Sequence, residues 1–176
     1  MGRSQSIKKG IGIRTRSRQV SGEPRGLLVG PREGQTTRSP IGGDVTFIAR
    51  GGQTNGAVTA LEVGVLPGEG PPLHVHGRED ECVYVLAGDL RFKVGGQLSA
   101  TAAGSFVFIP RGVAHCFQNA GETPGRMLVT FTPAGMEGFF DRLSELTAFD
   151  LDAFRRAAAE HEMEVVGPPL AHSDPL

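Results

Sequence analysis

From residue 44 to residue 132 the chain is a succession of short β-type runs, each closed by residues that turn the backbone. That rhythm excludes most fold classes before any motif is read. DVTFIAR (44–50) stops at Gly51-Gly52, AVTALEVGVL (57–66) at Pro67-Gly68, and LRFKV (90–94) at Gly95-Gly96, a pair suited to a two-residue hairpin turn. CVYVLAG (82–88), SFVFIP (105–110), HCFQN (115–119) and RMLVTFT (126–132) complete the series. Alternation sets Leu61, Val63 and Val65 on one side of their run. In LRFKV it sets Leu90, Phe92 and Val94 inward, with Arg91 and Lys93 toward solvent. CVYVLAG is almost continuously apolar, the pattern of a strand covered on both faces. No helical pattern interrupts the runs, which argues against a parallel sheet wound by βαβ crossovers. An antiparallel sandwich or barrel remains.

After Pro133 the period changes. GMEGFFDRLSEL places Phe139, Leu143 and Leu146 at helical spacing, and Asp150 is the expected N-cap of a second helix, LDAFRRAAAEHEME. Leu151, Phe154, Ala158 and Val165 form that helix's expected apolar stripe, and Gly167-Pro168-Pro169 ends it. The expected organisation is a basic tail (1–26), a β-barrel (27–134) and a helical extension with a short tail (135–176). The helices pack outside the barrel or over its mouth, and His161 and His172 read as surface residues.

Charge and composition narrow the class. The net charge is -1, yet residues 1–20 hold six basic residues and no acid. Without aromatic residues or a helical face, this stretch reads as a solvated tail rather than a nucleic-acid-binding arm. No apolar run approaches the ~20 residues that span a bilayer, and none follows the basic start as a secretory leader would require. Cys82 and Cys116 form no CxxC pair, so a cytoplasmic setting is expected. Both are sequence neighbours of candidate ligands, but strand alternation turns them to the opposite face.

The chemistry concentrates in PPLHVHGREDECVYVLAGD (71–89) and PRGVAHCFQN (110–119). His74 and His76 are one residue apart, so both imidazoles of an extended strand face one side. Glu81 follows across a turn, and His115 arrives at the start of another strand, after Pro110-Arg111-Gly112. A lone histidine is more often structural than a ligand. Here three of the five histidines of the chain fall at strand starts beside glycine and proline turns. Three imidazoles and a carboxylate suit a divalent first-row metal and leave positions open.

The spacing Gly68-(five)-His74-(one)-His76-(four)-Glu81-(six)-Gly88 resembles the first motif of the cupin superfamily. The second motif is matched by Gly104-(five)-Pro110-(one)-Gly112-(two)-His115-(three)-Asn119. The resemblance implies an all-β jelly-roll β-barrel with C-terminal helices and metal ligands His74, His76, Glu81 and His115 inside it. Gly68, Gly88, Gly104, Pro110 and Gly112 are then turn residues. The flanking segments, roughly residues 27 to 170, resemble bacterial one-domain cupins grouped with quercetin 2,3-dioxygenase. That likeness implies a dioxygenase that uses O2 on a flavonol-like or other enolic or phenolic aromatic. Glu81 is either the base for the substrate hydroxyl or a plain ligand. Open alternatives are a cyclase, isomerase or decarboxylase using the metal as a Lewis acid, and a non-catalytic binding protein. The metal is left open among iron, manganese, nickel, cobalt, copper and zinc. Expected pocket walls are Tyr84, Phe106, Phe108, Phe117, Met127 and Phe131. A homodimer is expected, because the apolar strands leave a sheet edge to be covered.

Overall fold

In the computed structural model, which describes residues 26–176, the alternating runs become strands of two antiparallel sheets. One sheet holds β1 (Gln35–Arg38), β2 (Asp44–Ala49), β3 (Thr59–Val65), β5 (Asp80–Ala87), β8 (Phe106–Ile109) and β10 (Gly125–Thr132), in the spatial order β1-β2-β3-β10-β5-β8. The other holds β4 (Pro72–His76), β6 (Leu90–Val94), β7 (Gln97–Thr101), β9 (His115–Asn119) and β11 (Met163–Pro169), ordered β11-β4-β9-β6-β7. Leu61, Val83, Val85 and Met127 of the first sheet share one buried cluster with Leu90, Phe92 and Met163 of the second. This is the jelly-roll arrangement. Each fully buried aliphatic or aromatic side chain of the cluster contributes about 1.5–3 kcal/mol. The basic tail anticipated at the N-terminus lies outside the described residues, but for Gly26.

Turn chemistry sets the connections. Gly95 and Gly96 both adopt left-handed backbone angles (φ 57° and 87°), closing the β6–β7 hairpin as the sequence suggests. Gly88 also has a positive φ, and a Cβ there would sit 2.7 Å from the Gly125 Cα, so the β5–β6 turn admits no side chain.

Several expectations need correction. Arg91 is buried rather than solvent-facing; its Nε donates to Gln118 Oε1 at 2.8 Å, so a neighbouring polar side chain satisfies it inside the fold. β5 is covered on one face only, since Tyr84 and Leu86 remain exposed. β1 and β7, with the polar sequences QTTR and QLSAT, carry no apolar alternation to read.

The C-terminal region differs most. Helix α1 (Glu137–Ser144) buries Phe139 and Leu143 as expected, with Leu146 packed just beyond its end. Helix α2 (Leu151–Glu160) is capped by Asp150, whose Oδ1 accepts from the Ala153 N–H at 2.8 Å. It then stops: Glu162 has φ 54°, and Val165 belongs to β11, paired opposite His74 of β4. The backbone partners offered by β4 outweigh the continuing helical period, and Pro168 and Pro169 fall at the end of this edge strand, where missing N–H groups cost least. Leu151 accordingly is exposed, and Ala157 joins Phe154 and Ala158 on the buried face. His161 is half-buried, not at the surface: its ring lies against Gly138, where a Cβ would overlap it. The short α3 (Leu170–Ser173) closes the chain and leaves His172 exposed.

Two carboxylates fasten α1 to the barrel. Glu137 Oε1 accepts from the Gly51 N–H at 2.8 Å, while Oε2 accepts from the Gly135 N–H at 3.1 Å and from the Thr59 hydroxyl. Asp141 receives both terminal nitrogens of Arg50, at 2.8 and 2.9 Å, and that guanidinium stacks 3.6 Å above the Phe47 ring. Among the described residues no helix is long and apolar enough to cross a membrane.

Candidate metal centre

The extended backbone of β4 sends His74 and His76 to one side, and both are buried. β9 pairs with β4 so that His115 lies directly opposite His74. Glu81, the second residue of β5, faces them from the other sheet. The chain reversal between β4 and β5 is pinned on both sides: the Gly77 N–H reaches Glu162 O, and the Gly112 N–H reaches His76 O, each at 2.8 Å. One donor atom from each of the four side chains lies within 4.8 Å of every other. The ring centroids are 4.3 Å apart for His74 and His115, 5.1 Å for His74 and His76, and 5.2 Å for His76 and His115.

Hydrogen bonds decide which nitrogen faces the centre. Nδ1 of His74 lies 2.8 Å from Pro72 O, and Nδ1 of His115 lies 2.9 Å from Val113 O. A carbonyl only accepts, so both rings carry their proton on Nδ1 and turn Nε2 inward. Burial, with the neighbouring His115 and His76, holds His74 well below the usual histidine pKa, so its Nε2 is a free lone pair. Glu81 Oε2 meets His115 Nε2 at 2.9 Å and His76 Nε2 at 3.4 Å. Burial opposes the charge of Glu81, but these imidazole contacts outweigh it and hold the carboxylate below its usual range. Burial likewise opposes protonation of His115, and the Glu81 contact reverses that, raising its pKa.

These residues fit a divalent cation. Three imidazoles this close cannot all take a second proton and become charged, and one carboxylate stays ionised among them. A cation takes over the role that protons on the imidazoles play against Glu81, with nitrogen and oxygen donors of the type first-row metals accept.

Three of the donor residues, His74, His76 and Glu81, open onto a cavity of about 70 Å³ with otherwise apolar walls, apart from Ser39. Phe117, Met127 and Phe131 line it. Tyr84, Phe106 and Phe108 do not: they are 44 %, 63 % and 53 % exposed. The reason is parity. Tyr84 points the same way as Cys82 on β5, and β8 sets Phe106 against Tyr84 and Phe108 against Cys82, so all three lie on the outer face. The remaining walls come from residues not anticipated as such: Ile41, Met136, Phe139, Phe140, Phe154 and Met163. Their trace in the sequence is the aromatic pair in GMEGFFDRL, which marked a buried helix face without saying what it covers. Asn119, the last residue of the second motif, holds loops rather than chemistry; its Nδ2 donates to Val65 O and Thr123 O.

Comparison with known proteins agrees with this architecture. A family model for the cupin domain matches residues 61–131. The chain is similar to the tetracenomycin polyketide synthase protein TcmJ of Streptomyces glaucescens, 28% identical over 94 residues, covering 48% of this chain and 63% of that protein. It is also similar to the polyketide synthase protein CurC of Streptomyces cyaneus, 30% identical over 94 residues, covering 48% of this chain and 61% of that protein. The match thus spans less than two thirds of either relative. An RmlC-like cupin from Shewanella frigidimarina superposes with a TM-score of 0.56 at 21% identity, covering 64% of this chain and 96% of that one, and shares its fold. Two antiparallel sheets close on three imidazoles and a carboxylate, and the family match runs through all four, so residues 61–131 form a cupin domain.

Proposed function

We propose that His74, His76, Glu81 and His115 hold one divalent metal, and that the protein is an enzyme acting on an apolar, enolic or phenolic small molecule beside it. One observation carries this reading: four buried donors converge, and three of them line an apolar cavity in which Glu81 is the sole carboxylate lining residue. Bound there, a divalent metal supplies a Lewis acid that lowers the pKa of a coordinated hydroxyl. Glu81 turns Oε2 toward the two imidazoles, where it would hold the metal, and this leaves Oε1 for a substrate proton. Phe117, Phe131, Met136 and Phe140 exclude water and present flat or deformable apolar surface to a ring system. The cavity, about 70 Å³, is below the ~300–1,000 Å³ of pockets that enclose larger ligands, so a multi-ring substrate requires the α1 cap to shift.

The names of the two polyketide synthase relatives favour a polyketide-type substrate. On such a compound the cyclase reading has Glu81 remove an acidic C–H or O–H proton and return it to the ring-closed product. A second reading, oxygenation of the same enolic compound, is favoured by the apolar walls, which suit dioxygen. An oxygen electrode separates them. Protein purified without an affinity metal is assayed by elemental analysis, then with a polyketide and flavonoid panel. Product without oxygen uptake supports ring closure, uptake matched to substrate loss supports the dioxygenase, and no turnover by metal-loaded protein refutes both.

The exposed cluster of Tyr84, Leu86, Phe106 and Phe108 on the outer face, beside the edge strand β8, supports a homodimer closed by a second copy. Cys82 and Cys116 are free thiols, in keeping with a cytoplasmic setting.

A further inference from the structure

Two of the three imidazoles in the cluster have their outer nitrogen fixed by a backbone carbonyl two residues earlier: Pro72 for His74 and Val113 for His115. His76 does not. The residue two before it is His74, whose backbone is paired in the sheet between β9 and β11. Nδ1 of His76 is therefore buried without a hydrogen-bond partner. Only two other buried side-chain oxygens among the described residues share that condition, Glu69 Oε2 and Glu79 Oε2.

Glu79 stands three residues after His76, in the reversal that joins β4 to β5. It is 2 % exposed, an unusual place for a carboxylate. Its Oε1 faces Arg78 Nη1 at 3.2 Å, and Arg78 is itself 45 % exposed, so this pairing does not explain why the other oxygen is buried. The fold makes room for the group: a Cβ on Gly135, in the linker to α1, would press on Glu79 Oε1 at 3.1 Å and on Arg78 Nη1. A buried acceptor and a buried donor that both lack partners are each destabilising, more so where one is charged. A hydrogen bond between them satisfies both.

We infer that Glu79 is a positioning residue for His76, accepting a hydrogen bond from its Nδ1–H, directly or through one ordered water. This rests on the metal-site reading above and extends it to the outer side of one ligand. The bond fixes the tautomer that turns Nε2 of His76 inward, as Pro72 and Val113 do for the other two rings, and raises the basicity of that nitrogen. The carboxylate is the means available where strand pairing has taken the backbone carbonyl.

The test uses the full chain and zinc alone as the probe. Affinity is measured by competition with a chromophoric chelator for wild type, Glu79→Gln, Glu79→Ala and Arg78→Ala. The His76 ring is followed by 15N–1H correlation in the zinc-loaded proteins. Glu79→Ala lowers zinc affinity about 10–100-fold and removes the protected Nδ1–H signal of His76. Glu79→Gln, whose side-chain oxygen still accepts, stays within a few-fold of wild type and keeps the signal. Arg78→Ala changes neither. Should the alanine variant fail to fold, Glu79→Leu fills the same volume without an acceptor and takes its place. Wild-type affinity in the acceptor-free variant, equal losses in the glutamine and acceptor-free variants, or an unchanged His76 signal overturns the inference while leaving the metal site standing. Failure of wild type to bind zinc overturns the metal site and the inference together.

Discussion

Glu137→Gln tests whether the α1 cap is held by charge. The wild-type carboxylate accepts from two backbone N–H groups, of Gly51 and Gly135, and from the buried Thr59 hydroxyl. Glutamine keeps one acceptor oxygen and replaces the other by an NH2 group that faces at least one of these donors. The threonine hydroxyl can rotate, but a backbone N–H cannot, so one N–H is left without its acceptor. Hydrogen bonds to charged groups contribute about 1.5–3 kcal/mol, and Glu137 is only half-buried, so water recovers part of the loss. The expected cost is about 2 kcal/mol, a fall in Tm of roughly 4–8 °C for a chain of this size. The pH dependence has a defined sign. Burial opposes the charge of Glu137, but the bonds from Thr59, Gly51 and Gly135 and from its own backbone prevail and lower its pKa below the ordinary 4.5. A lowered folded-state pKa means the stabilisation is fully present above the ordinary value and is lost as pH falls through the folded value. Urea titrations at pH 7 and at steps below 4.5 therefore show a gap between wild type and variant that closes on acidification. Hydrogen exchange shows faster exchange in α1 than in the barrel strands. Equal stability at pH 7, or a gap that does not narrow in acid, refutes the reasoning.

Three further outcomes follow from the same geometry. His76→Ala abolishes metal retention through gel filtration while far-UV circular dichroism stays that of the barrel; full occupancy by elemental analysis would show the ligand set to be wrong. Phe140→Ala, on the cap, leaves metal content unchanged, costs less than about 3 kcal/mol because the ring is only partly buried, and shifts KM toward bulkier substrates. Phe106→Lys places a charge in the exposed cluster on the outer face and converts a dimer to a monomer in light scattering at micromolar concentration; a wild type that is already monomeric there refutes the dimer.

What could be read from the residues was set by period. LRFKV and HCFQN are strands over the stretches the alternation marks, and His74, His76, Glu81 and His115 are brought together because parity on four strand positions survives folding. Parity also explains the failures. Tyr84, Phe106 and Phe108 are aromatic and near the motifs, but residue type does not say which face a pleat presents. Val165 followed the helical stripe closely enough to pass as part of its last turn, and only the long-range partner β4 decides otherwise. Arg91 looked solvent-facing because alternation assigns it to the outer face. That this position is buried depends on Gln118, 27 residues away.

The same distinction separates the metal from the substrate. The segment matched by the cupin family, residues 61–131, contains all four donors together with Phe117, Met127 and Phe131. Met136, Phe139, Phe140, Phe154 and Met163, which close the cavity, all lie after it, and Ser39 and Ile41 lie before it. Donor geometry is thus carried by strand pairing within this segment, such as His74 against His115. The cap is carried by α1 and α2, fixed to the barrel through Glu137 and Asp141 to residues 50–59. A change of cap alters which molecule reaches the donors without disturbing the donors themselves, and this is how one barrel can serve several reactions. The likeness within the barrel covers the four donors, whereas on the function proposed above the substrate is selected by the aromatic and methionine side chains of residues 136–163.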